Sequence, residues 1–308
     1  MPEERKKPKR KYGWIKDEPD ERDWIYHAGQ DVKRAEKVVE RDVITDFWNW
    51  LMHHIHPSPP PPPPDNKSVD LRSGCSPIVD QGELGSCTAN ALAGALAFLE
   101  IKDGLQEQTG ALDFSRLFIY YNERVIEGTV DEDSGAELRD GMKTLSQGNQ
   151  GACYETTWPY IVSQFAVKPP ANAYTEGVEH EITAYYSILT HADRIACLDA
   201  GFPFVFGFTV YDSFESPEVE ETGVVPMPGP LDYPIGGHAV MCVGYDDSTQ
   251  RYLCRNSWGT GWGMAGYFTI PYAYIDNVAL ASDFWTIRRG TNMLASPYGH
   301  GHGLLTEG

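Results

Sequence analysis

The apolar positions of the chain form two different patterns. At 87–102, Ala and Leu occupy positions on nearly all sides, which predicts a helix buried in a core. A second helical stretch is predicted at 115–127. After residue 200 the pattern changes to short runs rich in Val, Phe and Tyr between turn residues, and these runs predict strands at Phe204–Tyr211, 238–245, 251–256 and 266–270, with a hairpin connection at 246–250. Helices followed by antiparallel strands predict an α+β fold in two lobes.

A run of prolines divides the chain. Residues 59–64 are all proline, which predicts a stiff polyproline II spacer, although such a run is also compatible with a ligand for a proline-binding module. We therefore expect a segment at 1–64, a main domain at 65–289 and a flexible Gly- and Pro-containing tail at 290–308.

The segment before the prolines has features of its own. Residues 31–50 are compatible with a helix, and an apolar cluster follows at Phe47, Trp48, Trp50, Leu51 and Met52. So short a segment cannot bury that cluster alone, so we expect it to pack on the main domain. The basic run at 5–11 is typical of a solvated tail, with docking on the acidic body as the alternative.

Composition narrows the possible partners. The 308 residues carry a formal net charge of -19, which argues against nucleic acid. No run of 18 apolar residues and no signal-peptide core is present, so we expect no membrane partner and a cytoplasmic location, or export by a non-standard route. Six cysteines are too few for a dense disulfide framework, and their pairing stays open, including that of Cys242 with Cys254.

Three stretches carry candidate chemistry. Gln81 opens a glycine-containing loop that leads to Cys87 in the first turn of the buried helix, where free N–H groups favour a thiolate; a small buried cysteine is the alternative. His238 opens an apolar strand, and Asn256 ends the strand expected to pair with it. A hairpin turn near Ser248 would bring the two together, so that the amide orients the imidazole.

These stretches resemble the papain-like cysteine peptidases, including the cathepsins and the bacterial branch of that family. The similar motifs are Gln-Gly-x-x-Gly-Ser-Cys ending at Cys87, Gly-His-Ala-Val around His238, and Asn-Ser-Trp-Gly-x-x-Trp-Gly from Asn256. The resemblance covers roughly 68–289 and includes Val-Asp-Leu-Arg at 69–72 and Trp-Pro-Tyr at 158–160. It implies a helical lobe and an antiparallel, β-barrel-like lobe with the active site between them.

The resemblance also implies roles. Cys87 would be the nucleophile, His238 the general base and then acid, Asn256 its orienting partner, and Gln81 an oxyanion donor; the resting pair would be thiolate and imidazolium. Trp258 would cover the His–Asn hydrogen bond. The resemblance places Gly135 where substrate backbone pairs, and Gly207, Ala239 and Ser282 or Asp283 around a roomy apolar pocket. Two positions depart from the family, since Leu84 replaces a frequent Cys and Thr88 a usual Trp.

The predicted function is a cysteine endopeptidase that acts on peptides or proteins through a thioester, with residues 1–64 as a propeptide-like intramolecular inhibitor. The alternatives are a thioester acyl transferase and a catalytically silent binding protein on the same scaffold. No cofactor is implied. The histidines at 53, 54, 56, 300 and 302 do not form a closed ligand set, so no functional metal is predicted.

Overall fold

The structure, a computed structural model, describes residues 10–28, 67–105 and 113–289. The apolar cluster at 47–52, the proline run and the tail at 290–308 lie outside the described residues.

Helices dominate the first half of the main domain. Helix α1 spans Cys87–Lys102 and is buried along almost its whole length, as predicted. Helix α2 spans Arg116–Glu127; it begins where the Ser115 hydroxyl accepts the N–H of Phe118 and ends at Gly128, whose φ of 73° favours glycine. The shorter helices are α3 (Leu138–Leu145), α4 (Ala171–Gly177), α5 (His191–Asp199), α6 (Pro217–Thr222) and α7 (Tyr272–Ile275). None of the helices in the described ranges is both long and apolar enough to cross a membrane.

The second half is mainly an antiparallel sheet. The strands of the described residues are β1 (Trp14–Ile15), β2 (Ser68–Asp70), β3 (Ala136–Glu137), β4 (Ala184–Ser187), β5 (Phe204–Tyr211), β6 (Pro234–Asp246), β7 (Arg251–Arg255), β8 (Tyr267–Pro271) and β9 (Ala281–Arg288). The large sheet has the order β4-β9-β5-β6-β7-β8, with β2 beside β6, and every neighbouring pair in it is antiparallel. Strands β1 and β3 form a separate parallel pair.

The sheet confirms the predicted antiparallel lobe and defines its form. A β-barrel-like lobe was predicted, and in the described residues β4 and β8 stand at opposite ends of the strand order. The lobe is therefore an open antiparallel sheet and not a closed barrel.

Strand β6 lies between two apolar cores. Its residues Ala239, Met241 and Val243 pack with the buried face of α1, whereas Val240 and Cys242 point into an aromatic core on the other side of the sheet. This alternation follows from the period of two along a strand. Helix α1 and β6 are thus in direct contact, and the start of α1 lies beside the start of β6.

Candidate active site

The loop at 81–86 leads directly into α1, whose first residue is Cys87. Gly82 in this loop has a φ of 60°, and the N–H of Gly85 donates to the carboxylate of Asp133 at 3.0 Å. The backbone N–H groups of a first helical turn have no partner within the helix. The loop therefore places the sulfur of Cys87 at the positive end of a buried helix, where a thiolate is favoured once solvent can reach it.

His238 and Asn256 meet at one end of the β6–β7 ribbon. The strands are paired through Met241 and Arg255, and the connection lies at 247–250. The imidazole Nε2 donates to Oδ1 of Asn256 at 2.8 Å, and the same oxygen accepts the N–H of Ser257. This bond fixes the proton on Nε2, so Nδ1 remains the basic nitrogen.

Trp258 covers the imidazole. Its ring lies 4.9 Å from the ring of His238 with an angle of 27° between the planes, and it is almost fully buried. The indole excludes water from the bond between His238 and Asn256, which is the position that the family resemblance implies.

Ser257 holds the side chain of Gln81. Its hydroxyl donates to Oε1 of Gln81 at 2.6 Å, and the amide Nε2 of Gln81 donates to the carbonyl oxygens of Leu84 at 2.9 Å and Lys11 at 3.3 Å. Ser257 lies inside the Asn-Ser-Trp motif, and no role for it was predicted from the sequence. Its contact couples the side chain of Gln81 to the loop that carries Asn256.

Residues 10–17 run through the cleft between the two lobes, and we call this stretch the cleft segment. The carbonyl oxygen of Gly13 accepts the N–H of Ala136 at 2.8 Å, and β1 continues this pairing in parallel with β3. A Cβ on Gly135 would lie only 2.2 Å from the same oxygen. Gly135 therefore contacts the backbone of the cleft segment, while the hydrogen bond is made by Ala136. The pairing of Gly135 with substrate backbone stays a prediction.

Trp14 of the cleft segment fills a pocket beside Cys87. A Cβ on Gly207 would lie 1.9 Å from the indole ring and one on Gly237 would lie 2.7 Å from it. The indole N–H donates to Asp283 at 2.9 Å. Of the two residues considered for this pocket, Asp283 and not Ser282 makes the polar contact with Trp14. The roomy, mainly apolar substrate pocket stays a prediction. Ala239 is paired with Gly207 and buried.

Asp17 anchors the far end of the cleft segment. Its carboxylate accepts the indole N–H of Trp285 at 2.9 Å and the backbone N–H of Arg139 at 3.2 Å, and its own N–H donates to Asp283. Burial raises the pKa of Asp17 to about 7, and the neighbouring charge of Asp283 acts in the same direction. The guanidinium of Arg139 then binds the chain beyond, at the carbonyl of Glu18 and the carboxylate of Asp23.

The other end of the cleft segment lies on the Trp258 side. The guanidinium of Arg10 stacks 4.1 Å above the indole of Trp258, and Lys11 pairs with Asp133 at 2.5 Å. Tyr12 donates its hydroxyl to Glu215, and its ring lies 6.2 Å from that of His238. Two residues of the basic run, Arg10 and Lys11, therefore dock on the main domain, which was the alternative to a solvated tail.

Burial in the covered cleft disfavours the charged forms of Cys87 and His238. Both Cys87 and His238 are 0% exposed. Burial raises the pKa of Cys87 to about 11, while the N–H groups of Ala239 and Gly13 oppose the shift; burial lowers the pKa of His238 to about 4. Nδ1 of His238 has no hydrogen-bond partner among the described residues. This closed form holds a neutral thiol and a neutral imidazole, unlike the ion pair that the resemblance implies.

The residue after Cys87 contacts a buried carboxyl group. Thr88 donates to Oε2 of Glu123 at 2.9 Å, and burial raises the pKa of Glu123 well above its usual range. Thr88 thus replaces the family's usual Trp with a hydrogen bond that joins α1 to α2. No local pattern predicts this contact, because Glu123 lies in an ordinary amphipathic helix.

No disulfide bond joins any of the cysteines in the described residues. Cys242 and Cys254 are cross-strand partners in β6 and β7, as the hairpin allows, and both are buried free thiols. No disulfide supports the described part of the site.

Comparisons with known proteins agree with this geometry. Residues 65–286 match the family described as "Papain family cysteine protease". The chain is 42% identical over 299 residues to an uncharacterized peptidase C1-like protein, L477, of Acanthamoeba polyphaga mimivirus, covering 94% of this chain and 90% of that protein. It resembles the crystal structure of xylellain, a cysteine protease from Xylella fastidiosa, with a TM-score of 0.72, 39% identity, and coverage of 93% of this chain and 99% of that one.

A more distant structure shares the fold alone. Digestive procathepsin L 3 of Tenebrio molitor aligns with a TM-score of 0.55 at 18% identity, over 74% of this chain and 71% of that one. With a match that spans most of the chain, and with the Cys, His and Asn side chains assembled at the cleft between its lobes, the chain belongs to the papain family of cysteine proteases.

Proposed function

We propose that the protein is an endopeptidase that cleaves peptide bonds through a thioester on Cys87, and that its cleft segment holds it in a latent form. The observation that carries both parts is the path of the cleft segment. It extends from Arg10 beside Trp258, past Cys87 at Gly13, to Trp14 and Asp17 on the other side. A cleft that accommodates extended chain on both sides of the nucleophile suits internal bonds better than chain ends.

The proposed reaction begins when the cleft segment leaves. Exposure to water removes the desolvation that keeps both groups neutral, so the proton of Cys87 passes to Nδ1 of His238. The thiolate attacks the carbonyl carbon of the substrate, and the oxyanion is stabilised by Nε2 of Gln81 and the backbone N–H of Cys87. His238 then gives its proton to the leaving amine, and the C–N bond breaks to leave an acyl thioester.

Water completes the cycle. His238 takes a proton from the water molecule as it attacks the thioester, and the carboxylic acid leaves as Cys87 regains its proton. Throughout, Asn256 holds the ring through Nε2, and Trp258 shields that bond. Ser257 keeps the Gln81 amide in position for the oxyanion.

Latency is supported by what the cleft segment occupies. The carbonyl oxygen of Lys11 accepts a hydrogen bond from Nε2 of Gln81. The N–H of Gly13 faces the sulfur of Cys87, and the ring of Tyr12 lies against that of His238. A substrate cannot reach these groups while the cleft segment stays in place.

The test uses the full-length chain and an epoxide reagent that alkylates nucleophilic cysteines. We expect slow alkylation at Cys87 in the unaltered protein and none in Cys87→Ser. We expect fast alkylation and cleavage of internally quenched peptides in Gly13→Ala, which cannot close. Alkylation without peptide cleavage in Gly13→Ala would refute the endopeptidase, and equal alkylation rates in the unaltered protein and Gly13→Ala would refute latency. Product analysis with an added amine separates hydrolysis from acyl transfer.

A further inference from the structure

The surface beside Trp258 has a specific chemical character. We propose that the ring face of Trp258, together with the carboxylates of Glu215 and Glu220, forms a substrate side-chain site that takes an arginine side chain on the leaving-group side of the scissile bond. This inference rests on the proposed endopeptidase function and names its substrate class.

Arg10 of the chain itself occupies this site. Its guanidinium lies 4.1 Å above the indole of Trp258, and one of its nitrogens lies 3.9 Å from the carboxylate of Glu220. A cation above an indole face is attracted by the ring electrons, and the planar guanidinium can stack there as well. The closed form therefore displays the geometry in which a foreign arginine would bind.

Three carboxylates act on the guanidinium of Arg10. Burial lowers the pKa of Arg10, while the negative groups of Glu220, Glu215 and Asp80 act in the opposite direction. Glu215 also accepts the hydroxyl of Tyr12. When the cleft segment leaves, Arg10 and Tyr12 leave with it, and the ring face of Trp258 becomes accessible. The net charge of -19 adds a long-range attraction for basic peptides.

The position of the site relative to the reaction follows from His238. The imidazole must reach the leaving amine in order to protonate it, so the residues after the scissile bond lie on the His238 side of Cys87. Trp258 stacks on that imidazole with one face, and Arg10 lies over the indole. The side chain recognised by Trp258 thus belongs to the leaving half of the substrate.

The test uses the full-length Gly13→Ala chain and quenched peptides that differ at one position. Arg, Ala or Glu is placed in turn at each of the three positions after the cleaved bond. We expect one position at which Arg exceeds Glu in kcat/KM by about tenfold or more, mainly through KM. Glu220→Gln should reduce this ratio several-fold. Glu218→Gln is the matched control, because Glu218 lies on the same helix α6 with its side chain exposed, and it should leave the ratio unchanged.

A binding measurement separates this inference from the endopeptidase proposal. The Gly13→Ala, Cys87→Ser chain is titrated with fluorescent peptides that carry Arg or Glu at the selected position. Tighter binding of the Arg peptide that weakens in Glu220→Gln supports the site even if no peptide is hydrolysed. Cleavage of all peptides at equal efficiency, or a preference that Glu218→Gln and Glu220→Gln reduce equally, would overturn the inference while leaving the endopeptidase intact.

Discussion

Gly13 of the cleft segment lies directly against Gly85, the residue two positions before the nucleophile. A Cβ built on Gly13 would be 1.8 Å from the carbonyl oxygen of Gly85. Both partners at this point are backbone, so no flexible side chain can move aside. The closed form therefore requires glycine at position 13, although its backbone is not in a left-handed conformation.

We expect Gly13→Ala to open the cleft. The added methyl group cannot be accommodated at 1.8 Å from a backbone oxygen, so the cleft segment should leave and alkylation of Cys87 should accelerate by at least about tenfold. Ile15→Ala is the control within the same segment, because the Ile15 side chain is 40% exposed. An Ile15→Ala rate that equals the Gly13→Ala rate would mean that the segment is too weakly held for either contact to matter.

Ionisation of Asp17 should weaken closure as the pH rises. Asp17 has a pKa of about 7 in the closed form and an ordinary value near 3.8 when released, so the closed form binds the extra proton. The stability that this proton contributes is full below about pH 4 and is lost as the pH rises to about 7. His238 acts in the opposite sense over the same range, because burial lowers its pKa from 6.5 to about 4 in the closed form. Asp283 adds to the shift, while Arg139 opposes it and Lys16 faces Asp283.

The measurement is the alkylation rate of the unaltered chain divided by that of Gly13→Ala at each pH, which removes the intrinsic reactivity of the thiol. We expect this ratio to rise by about tenfold or more between about pH 4 and about pH 7, relative to the same ratio in Asp17→Asn. Asp17→Asn keeps the shape and one of the two acceptor oxygens but cannot titrate, so its ratio retains the opposing contribution of His238 and lacks the rise due to Asp17. A rise of the same size in Asp17→Asn would assign the pH dependence to another group.

Ser257→Ala should reduce turnover through Gln81. The hydroxyl of Ser257 fixes Oε1 of Gln81 at 2.6 Å. Without it the amide is held only through Nε2, at the carbonyl of Leu84, and a less fixed amide is a poorer oxyanion donor. In the Gly13→Ala background, we expect kcat to fall by about tenfold in Ser257→Ala and by about 100- to 1,000-fold in Gln81→Ala. The double variant should match Gln81→Ala alone, since the two residues act as one unit. Fully additive losses would show that Ser257 acts through something else.

His238→Ala should cost more activity than Asn256→Ala. His238 moves the proton, whereas Asn256 only orients the ring through Nε2. Both variants are compared by kcat/KM in the Gly13→Ala background, with circular dichroism as the check on folding. An equal or larger loss in folded Asn256→Ala would reverse the assigned roles.

The sequence predicted the elements that carry the chemistry. Helix α1 begins at Cys87 and β5 spans Phe204–Tyr211 as expected, because a uniformly apolar helix and a β-branched, aromatic strand are strong local signals. The meeting of His238 and Asn256 followed from one hairpin turn. Such features depend on residues that are close in sequence.

The occupant of the cleft was not foreseen. The apolar cluster at 47–52, which was expected to pack on the main domain, lies outside the described residues, whereas Arg10, Tyr12 and Trp14 lie in a stretch rich in charge. Their docking depends on partners more than 100 positions away, such as Glu220, Glu215 and Asp283. Nothing in a local pattern indicates contacts of that range, and whether the strands of a sheet close into a barrel is equally non-local.

If the cleft segment inhibits as proposed, closure is an internal equilibrium, because the segment belongs to the same polypeptide as Cys87. The fraction of open chains would then be independent of protein concentration, and dilution would not activate the enzyme. A foreign peptide would have to compete with a neighbour whose local concentration is on the order of millimolar. Weak substrates would thereby be excluded, and one cut in the chain after residue 28 would convert the restraint into an ordinary, dissociable ligand.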